Sequence, residues 1–230
     1  MNAIILAAGM GTRLRPLTND TPKSLVKVNG QPIIERQIKF LNEIGIKDII
    51  IVTGYLNEKF NYLIDKYGVN IIFNDKYSVY NNGYTMYLVK DYLQNSYVLE
   101  GDVYLTRNFL ESELVKSTYF AGKKEGFTNE WILEHNHLNE ITNIKIASGS
   151  DYIMSGVSYW TGEDGNKIKE KLEAMVKKDG FENLFWDDLV KDNLEDFNIQ
   201  ISKIEPTDWF EIDSIEDLQN AEQYRRNSYE

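Results

Sequence analysis

The chain has 230 residues, a net charge of −11, two histidines and no cysteine. That length suits one large α/β domain or two small ones, and the missing cysteine excludes a disulfide scaffold, a thiolate zinc site and a cysteine nucleophile. The acidic surface repels polyphosphate backbones and argues against a nucleic-acid partner, and without a transmembrane-length apolar run or a basic leader the expectation is a cytoplasmic protein with no membrane contact.

Asn2–Ala8 reads as a buried strand that opens into Gly9, Gly11, Thr12, Arg13, Arg15-Pro16 and Pro22-Lys23. Alternating glycine after an apolar run is a tight turn whose amides can close on a phosphate chain. Two arginines and Lys23 add cation density, so a nucleoside triphosphate is expected here. The run is neither GxxxxGK[ST] nor GxGxxG, which excludes a P-loop ATPase and a dinucleotide dehydrogenase as readings.

Ser24–Val28 is β-like. A helix follows Gln31-Pro32 with Ile34, Ile38 and Leu41 on one face, and Gly45 ends it. Asp48–Thr53 is a strand covered on both faces, and a helix from Asn57 to Tyr67 stops at Gly68. Val69–Phe73 and Tyr97–Leu99 are further strands, with a helix through Leu88 to Leu93 between them. Phe109–Lys116 is expected to be helical. A β-rich middle follows, at Thr118–Gly122, Trp131–Glu134, Ile141–Ile146 and Tyr152–Trp160. Helices at Glu163–Lys178 and Leu184–Leu194, strands at Ile199–Ile204 and Trp209–Ile212, and a Ser214-capped helix complete the chain. Strand–helix alternation at this spacing is βαβ architecture. One domain over 1–230 is expected, with a nucleotide half over about 1–105 and an acceptor half over about 106–230.

Asp102 follows a buried strand, where ligands of open α/β sheets bind. Taken alone, it serves equally well as a turn residue or a cap. Glu211 and Asp213 alternate about Ile212, so on a strand both carboxylates face one side. Together the three make a Mg²⁺ site with phosphate oxygens. The pairs Glu130-Trp131 and Tyr159-Trp160 and the run Phe185-Trp186-Asp187-Asp188 each read singly as core packing. Jointly they supply π faces and carboxylates for a quaternary ammonium.

Leu6–Lys23 resembles the signature LAAGxGxRLxPLT…PK of nucleotidyltransferases that couple a nucleoside triphosphate to a phosphorylated small molecule. NDKYSVYNN (74–82), YTMYLV (84–89), TNEW (128–131), SGVSYW (155–160), FWDDLVKDN (185–193) and EIDS (211–214) resemble the bacterial choline-phosphate cytidylyltransferases. The resemblance implies a Rossmann-like α/β/α sandwich with a mixed, mostly parallel sheet and a smaller β-rich substrate lobe. It implies CTP and phosphocholine as substrates and Mg²⁺ as cofactor. Leu6, Ala8 and Gly9 would lie against the nucleoside, and Gly11, Thr12 and Arg13 around the triphosphate. Lys23 would stand at the reacting phosphate and Asn82 near the base or the reacting end. Asp102, Glu211 and Asp213 would hold the metal. Trp131, Trp186 and Tyr159, with Glu130, Asp187 or Asp188, would form the choline end. Gly83 and Thr85 depart from the bulkier and serine residues expected in that stretch. Rival readings are transfer to 2-aminoethylphosphonate or to a sugar-1-phosphate, or a non-catalytic nucleotide sensor.

Overall fold

The computed structural model describes residues 1–227. In chain order its elements are β1 (Asn2–Ala7), β2 (Lys27–Val28), β3 (Gln31–Pro32), α1 (Ile33–Glu43), β4 (Ile49–Thr53), α2 (Tyr62–Tyr67), β5 (Asn70–Phe73), α3 (Asn82–Leu88) and β6 (Ser96–Glu100). They continue as β7 (Val103–Leu105), β8 (Ser117–His135), β9 (Ile141–Trp160), α4 (Gly162–Met175), α5 (Trp186–Lys191), β10 (Ile199–Ile204), β11 (Trp209–Glu211) and α6 (Ile215–Asn227).

The central sheet has seven strands in the order β10-β8-β9-β6-β1-β4-β5. β6, β1, β4 and β5 run parallel, as do β10 and β8, while β9 is antiparallel to both of its neighbours. The expected Rossmann-like sandwich with a mixed, mostly parallel sheet is present, with two small antiparallel pairs, β11-β7 and β2-β3, beside it. Strand alternation divides the core. Ala3 and Ile5 of β1 pack on one face with Ile34, Ile38 and Leu41 of α1, while Ile4 and Leu6 pack on the other with Met86, Ile168 and Leu172 of α3 and α4. The chain moves outward from β1 through β4 to β5, then returns to place β6 on β1's other side. The switch point of the sheet therefore lies between β1 and β6, and the crevice outside their carboxyl ends is the natural ligand position.

Several segments differ from the sequence expectation. Phe109–Lys116 is irregular and not helical. Phe109 and Leu110 are drawn into the core, and the Tyr97 hydroxyl takes the backbone N–H of Glu111 at 2.9 Å while donating to its carbonyl at 2.8 Å. A side chain thus satisfies backbone groups that a helix would have paired. The β-rich middle is not four short strands but two long ones, β8 and β9, with register shifts along their pairing. Its first and last parts, Ser117–Gly122 and Val157–Trp160, belong to the central sheet. Helix α5 is also shorter than expected, and Lys23–Leu25 forms a 3₁₀ turn before β2. At α6, Ser214 acts as the expected cap. Its Oγ accepts the Asp217 N–H at 3.2 Å, and the Asp217 carboxylate accepts the Ser214 N–H at 2.8 Å.

β11 is carried to the site over a flat spot. A Cβ on Gly122 of β8 would lie 2.2 Å from Trp209 Cζ3, so glycine here is a packing requirement. Gly122→Ala is expected to lower stability by about 1–3 kcal/mol, the ordinary size of core overpacking, in urea unfolding.

Candidate active site

The loop after β1 folds back under its own anchor. Leu14 is fully buried with Val26, Val28, Ile33, Tyr104 and Ile212, which ties the loop to the segment leading into α6. Gly11 has φ +58°, and a Cβ there would lie 2.9 Å from Lys23 Cβ. The glycine therefore serves Lys23 directly, by letting its stem pass the loop. Thr18 Oγ1 donates to the Gly11 carbonyl at 2.7 Å and fixes the turn.

Lys23 projects from this turn into the crevice. Its Nζ contacts Asp102 Oδ2 at 2.5 Å and also pairs with Asp213. Arg13, largely exposed, pairs with the other Asp213 oxygen. Burial alone would lower the Lys23 pKa, but Asp102 and Asp213 outweigh it and hold the ammonium above its ordinary range. The same contacts keep Asp213 low against its own burial, through Lys23 first and then Arg13. Glu211 behaves oppositely. The residue is exposed overall, yet desolvation of its carboxyl, then the charges of Asp102 and Asp213, push it up well above the usual carboxylate range.

Carboxylate oxygens of Asp102, Glu211 and Asp213 lie within 4.8 Å of one another. Three oxygen donors whose mutual repulsion already raises one of them fit a hard divalent cation. Glu211 ends β11 and Asp213 lies two residues on, beyond the strand; Ile212 between them is fully buried, and both acids lie close to Asp102.

Two cavities meet at this cluster. A cavity of about 130 Å³ is walled by Leu6, Ala8 and Gly9. A cavity of about 300 Å³ on the other side is walled by Tyr119, Glu130, Trp131, Phe185, Trp186 and Asp187. Lys23, Asn82, Glu100 and Asp102 face both. Asp187 accepts from the Tyr119 hydroxyl at 2.8 Å. Burial, outweighing that bond, pushes Asp187 up to about 7, with the charge of Asp188 adding to it. Burial also raises Glu130, with Asp213 contributing. The Trp131 ring stands edge-on to Phe185, and the Lys191 ammonium lies 5.4 Å from its centre.

Two expected site residues lie elsewhere. Tyr159 is buried among Tyr97 and Phe120 on the opposite face of the sheet. Its neighbour Trp160, one residue on, points to the pocket side and packs edge-on against Trp186; parity on a strand makes that choice absolute. Asp188 does not line the cavity: it accepts the Phe185 N–H at 3.1 Å and pairs with Lys191 at 2.7 Å, capping α5. Gly11 and Thr12 line neither of these two cavities and lie in the loop that carries Arg13. Glu100 and Tyr119 were missed. Glu100 lies two residues before Asp102, so the alternation that paired Glu211 with Asp213 also flags Glu100; Tyr119 carries no such signal.

Residues 2–126 match the nucleotidyl transferase family. The chain is 47% identical to the choline-phosphate cytidylyltransferase of Streptococcus pneumoniae over 99% of each chain. It is 34% identical to the 2-aminoethylphosphonate cytidylyltransferase of Lancefieldella rimae, over 94% of this chain and 90% of that one. The solved structure of the Streptococcus pneumoniae CTP:phosphocholine cytidylyltransferase superposes with a TM-score of 0.95, covering 97% of this chain and 98% of that one. The chain belongs to the nucleotidyl transferase family, and its whole-length likeness is to the choline-phosphate cytidylyltransferases within it.

Proposed function

We propose that the protein catalyses CTP + phosphocholine → CDP-choline + pyrophosphate. The observation that carries this reading is the meeting of two cavities at one Lys23–Asp102 contact, the smaller beside the glycine loop and the larger walled by aromatics and carboxylates. The likeness to choline-phosphate cytidylyltransferases over the whole chain supports the choice of substrates. The chain is read as one nucleotidyltransferase domain, its first 105 residues or so serving the nucleotide and the remainder the acceptor and the metal. No described helix is long and apolar enough to cross a membrane, and the reading places the enzyme in the cytoplasm with its nucleotide.

An oxygen of the phosphocholine phosphate attacks the α-phosphorus of CTP, and the bond from that phosphorus to the bridging oxygen breaks to release pyrophosphate. The attacking oxygen is already ionised near neutral pH, since a phosphate monoester's second pKa is about 6. No general base is required, and no side chain forms a covalent intermediate. Catalysis is then positioning plus charge stabilisation. Leu6, Ala8 and Gly9 receive the nucleoside. Lys23, held protonated, stands at the reacting phosphate, and Arg13 adds charge at the rim. Asp102, Glu211 and Asp213 would hold Mg²⁺, which when bound supplies Lewis-acid charge to the phosphate oxygens. Trp131 and Trp186 present π faces, and Asp187 with Glu130 supplies negative charge to the trimethylammonium.

Pyrophosphate release is to be measured with phosphocholine, 2-aminoethylphosphonate and glucose-1-phosphate, each with CTP and UTP. CTP with phosphocholine is expected to be fastest, and a preference for either other acceptor, or no turnover at all, refutes the assignment. Lys23→Ala should lower kcat by about 10²–10³-fold, with the far-UV circular dichroism unchanged. Asp102→Asn should remove metal-dependent turnover in a Mg²⁺ titration. For pH, Asp187 is neutral below about 7 and charged above it. Phosphocholine affinity should therefore fall as pH drops through 7, by about tenfold, the worth of one pKa unit of differential interaction. In Asp187→Asn that limb should flatten, leaving only the titration of the phosphate itself, which calorimetry across pH 5.5–8.5 would read.

A further inference from the structure

The mechanism above leaves one carboxyl of the crevice wall without a task. Glu100, at the end of β6, forms part of the wall shared by the two cavities. Its Oε1 accepts from Asn82 Nδ2 at 3.3 Å and from Trp186 Nε1 at 3.4 Å. Asn82 uses its other amide atom on Trp186: Oδ1 accepts the Trp186 backbone N–H at 3.0 Å.

The backbone repeats this connection. Asn81 N–H donates to the Glu182 carbonyl at 2.7 Å, and Gly83 N–H donates to the Leu184 carbonyl at 3.1 Å. Asn81 Nδ2 donates to the Asn183 carbonyl at 3.1 Å. Residues 81–83 and 182–186 are thus laced together along the boundary of the two cavities. Gly83 is required here: a Cβ would lie 2.7 Å from the Leu184 carbonyl oxygen.

The acceptor side depends on this lacing. No residue from 177 to 185 is fully buried, and the ring that anchors the lead-in to α5, Phe181, packs on Tyr80 and Tyr84 of the facing segment, so residues 80–84 place it by packing as well as by hydrogen bonds. Trp186 and Asp187 begin α5 and wall the acceptor cavity. Their lead-in is held by groups that belong to the nucleotide side. The two bonds at Glu100 are at the long end of the hydrogen-bond range, the state from which such contacts tighten when a ligand fixes one member.

We propose that Glu100 is a positioning residue which, with Asn82 and Trp186, couples the two pockets, so that a nucleotide bound against Asn82 raises the affinity for the acceptor. Fixing Asn82 fixes the Trp186 N–H and the Glu100 oxygen together, so the ordering cost of the acceptor wall is met once for both ligands. By linkage the acceptor raises nucleotide affinity by the same factor. The proposal rests on the cytidylyltransferase reading.

The test is calorimetric titration of phosphocholine into the full chain with Mg²⁺, with and without α,β-methylene-CTP, which cannot be cleaved at the reacting bond. In the wild type the analogue should tighten phosphocholine binding by about tenfold, within the ordinary range of coupling between sites. Glu100→Ala should bring that factor close to one. Glu100→Gln keeps an acceptor oxygen for both donors and should restore most of it. Trp186→Phe keeps the ring, loses the Nε1–H donor and should reduce the factor, which gives a second reading if Glu100→Ala folds poorly. A wild-type affinity unchanged by the analogue, full coupling in Glu100→Ala, or equal loss in Glu100→Gln and Glu100→Ala would each overturn the network. Those results are distinct from a wild type that makes no CDP-choline, which would remove the activity reading and this proposal with it.

Discussion

The Lys23 ammonium held between Asp102 and Asp213 is the contact on which the rest of the structure depends. It joins residues 79 and 190 positions apart in the chain. Each partner arrives by a separate device. Lys23 passes the loop because Gly11 has no side chain. Asp102 follows the central strand β6. Asp213 is delivered by β11, which pairs with β7 and lies against the bare surface of Gly122. A cation this enclosed loses hydration, and only close carboxylates make its charge acceptable. The result is a positive centre fixed where two anionic reactants would have to approach each other.

An acidic protein that handles acidic molecules has to separate its charges locally. Net charge −11 describes the whole surface, but the crevice alternates. Arg13 and Lys23 stand on the phosphate side, and Asp102, Glu211 and Asp213 crowd beside them. Along the wall of the larger cavity Glu100 and Asp187 are both raised by burial, so a cation placed there would stabilise their charged forms. The crevice thus offers the cations Arg13 and Lys23 at one end and carboxylates among aromatic rings at the other, which suits a zwitterion with a phosphate head and an ammonium tail.

Much of this was legible because the signals were periodic or local. The β1 run and its glycine loop give the strand and the turn, and Glu211-Ile212-Asp213 gives a two-carboxylate face. Other features depend on contacts between distant segments. Tyr159 and Trp160 are both aromatic, and only the pairing of β9 with β6 decides which one faces the pocket. Asp187 and Asp188 are adjacent acids, and the start of α5 decides which one caps it and which one meets Tyr119. Phe109–Lys116 has the composition of a helix, but the Tyr97 hydroxyl supplies backbone hydrogen bonds from outside and the segment stays irregular. At Gly11 the sequence shows a turn, but not that the bare position also makes room for the stem of Lys23.

Glu100-Gly101-Asp102 shows how tightly the two halves are bound to one strand end. Glu100 is tied to Asn82 and Trp186, and Asp102 to Lys23. Gly101 between them donates its N–H to the Leu6 carbonyl at 2.8 Å, and a Cβ there would meet that same oxygen at 2.8 Å. The glycine lets the end of β6 close against β1 without a side chain in between. Gly101 and Asp102 form the turn that follows β6, and with the glycine closed against β1 the acids on either side of it both line the crevice. One backbone contact at the switch point thereby sets the distance between the wall that the cavities share and the cation where they meet. A displacement of β6 relative to β1 would move both acids together, which is why the nucleotide and acceptor sides of this crevice are built as one unit.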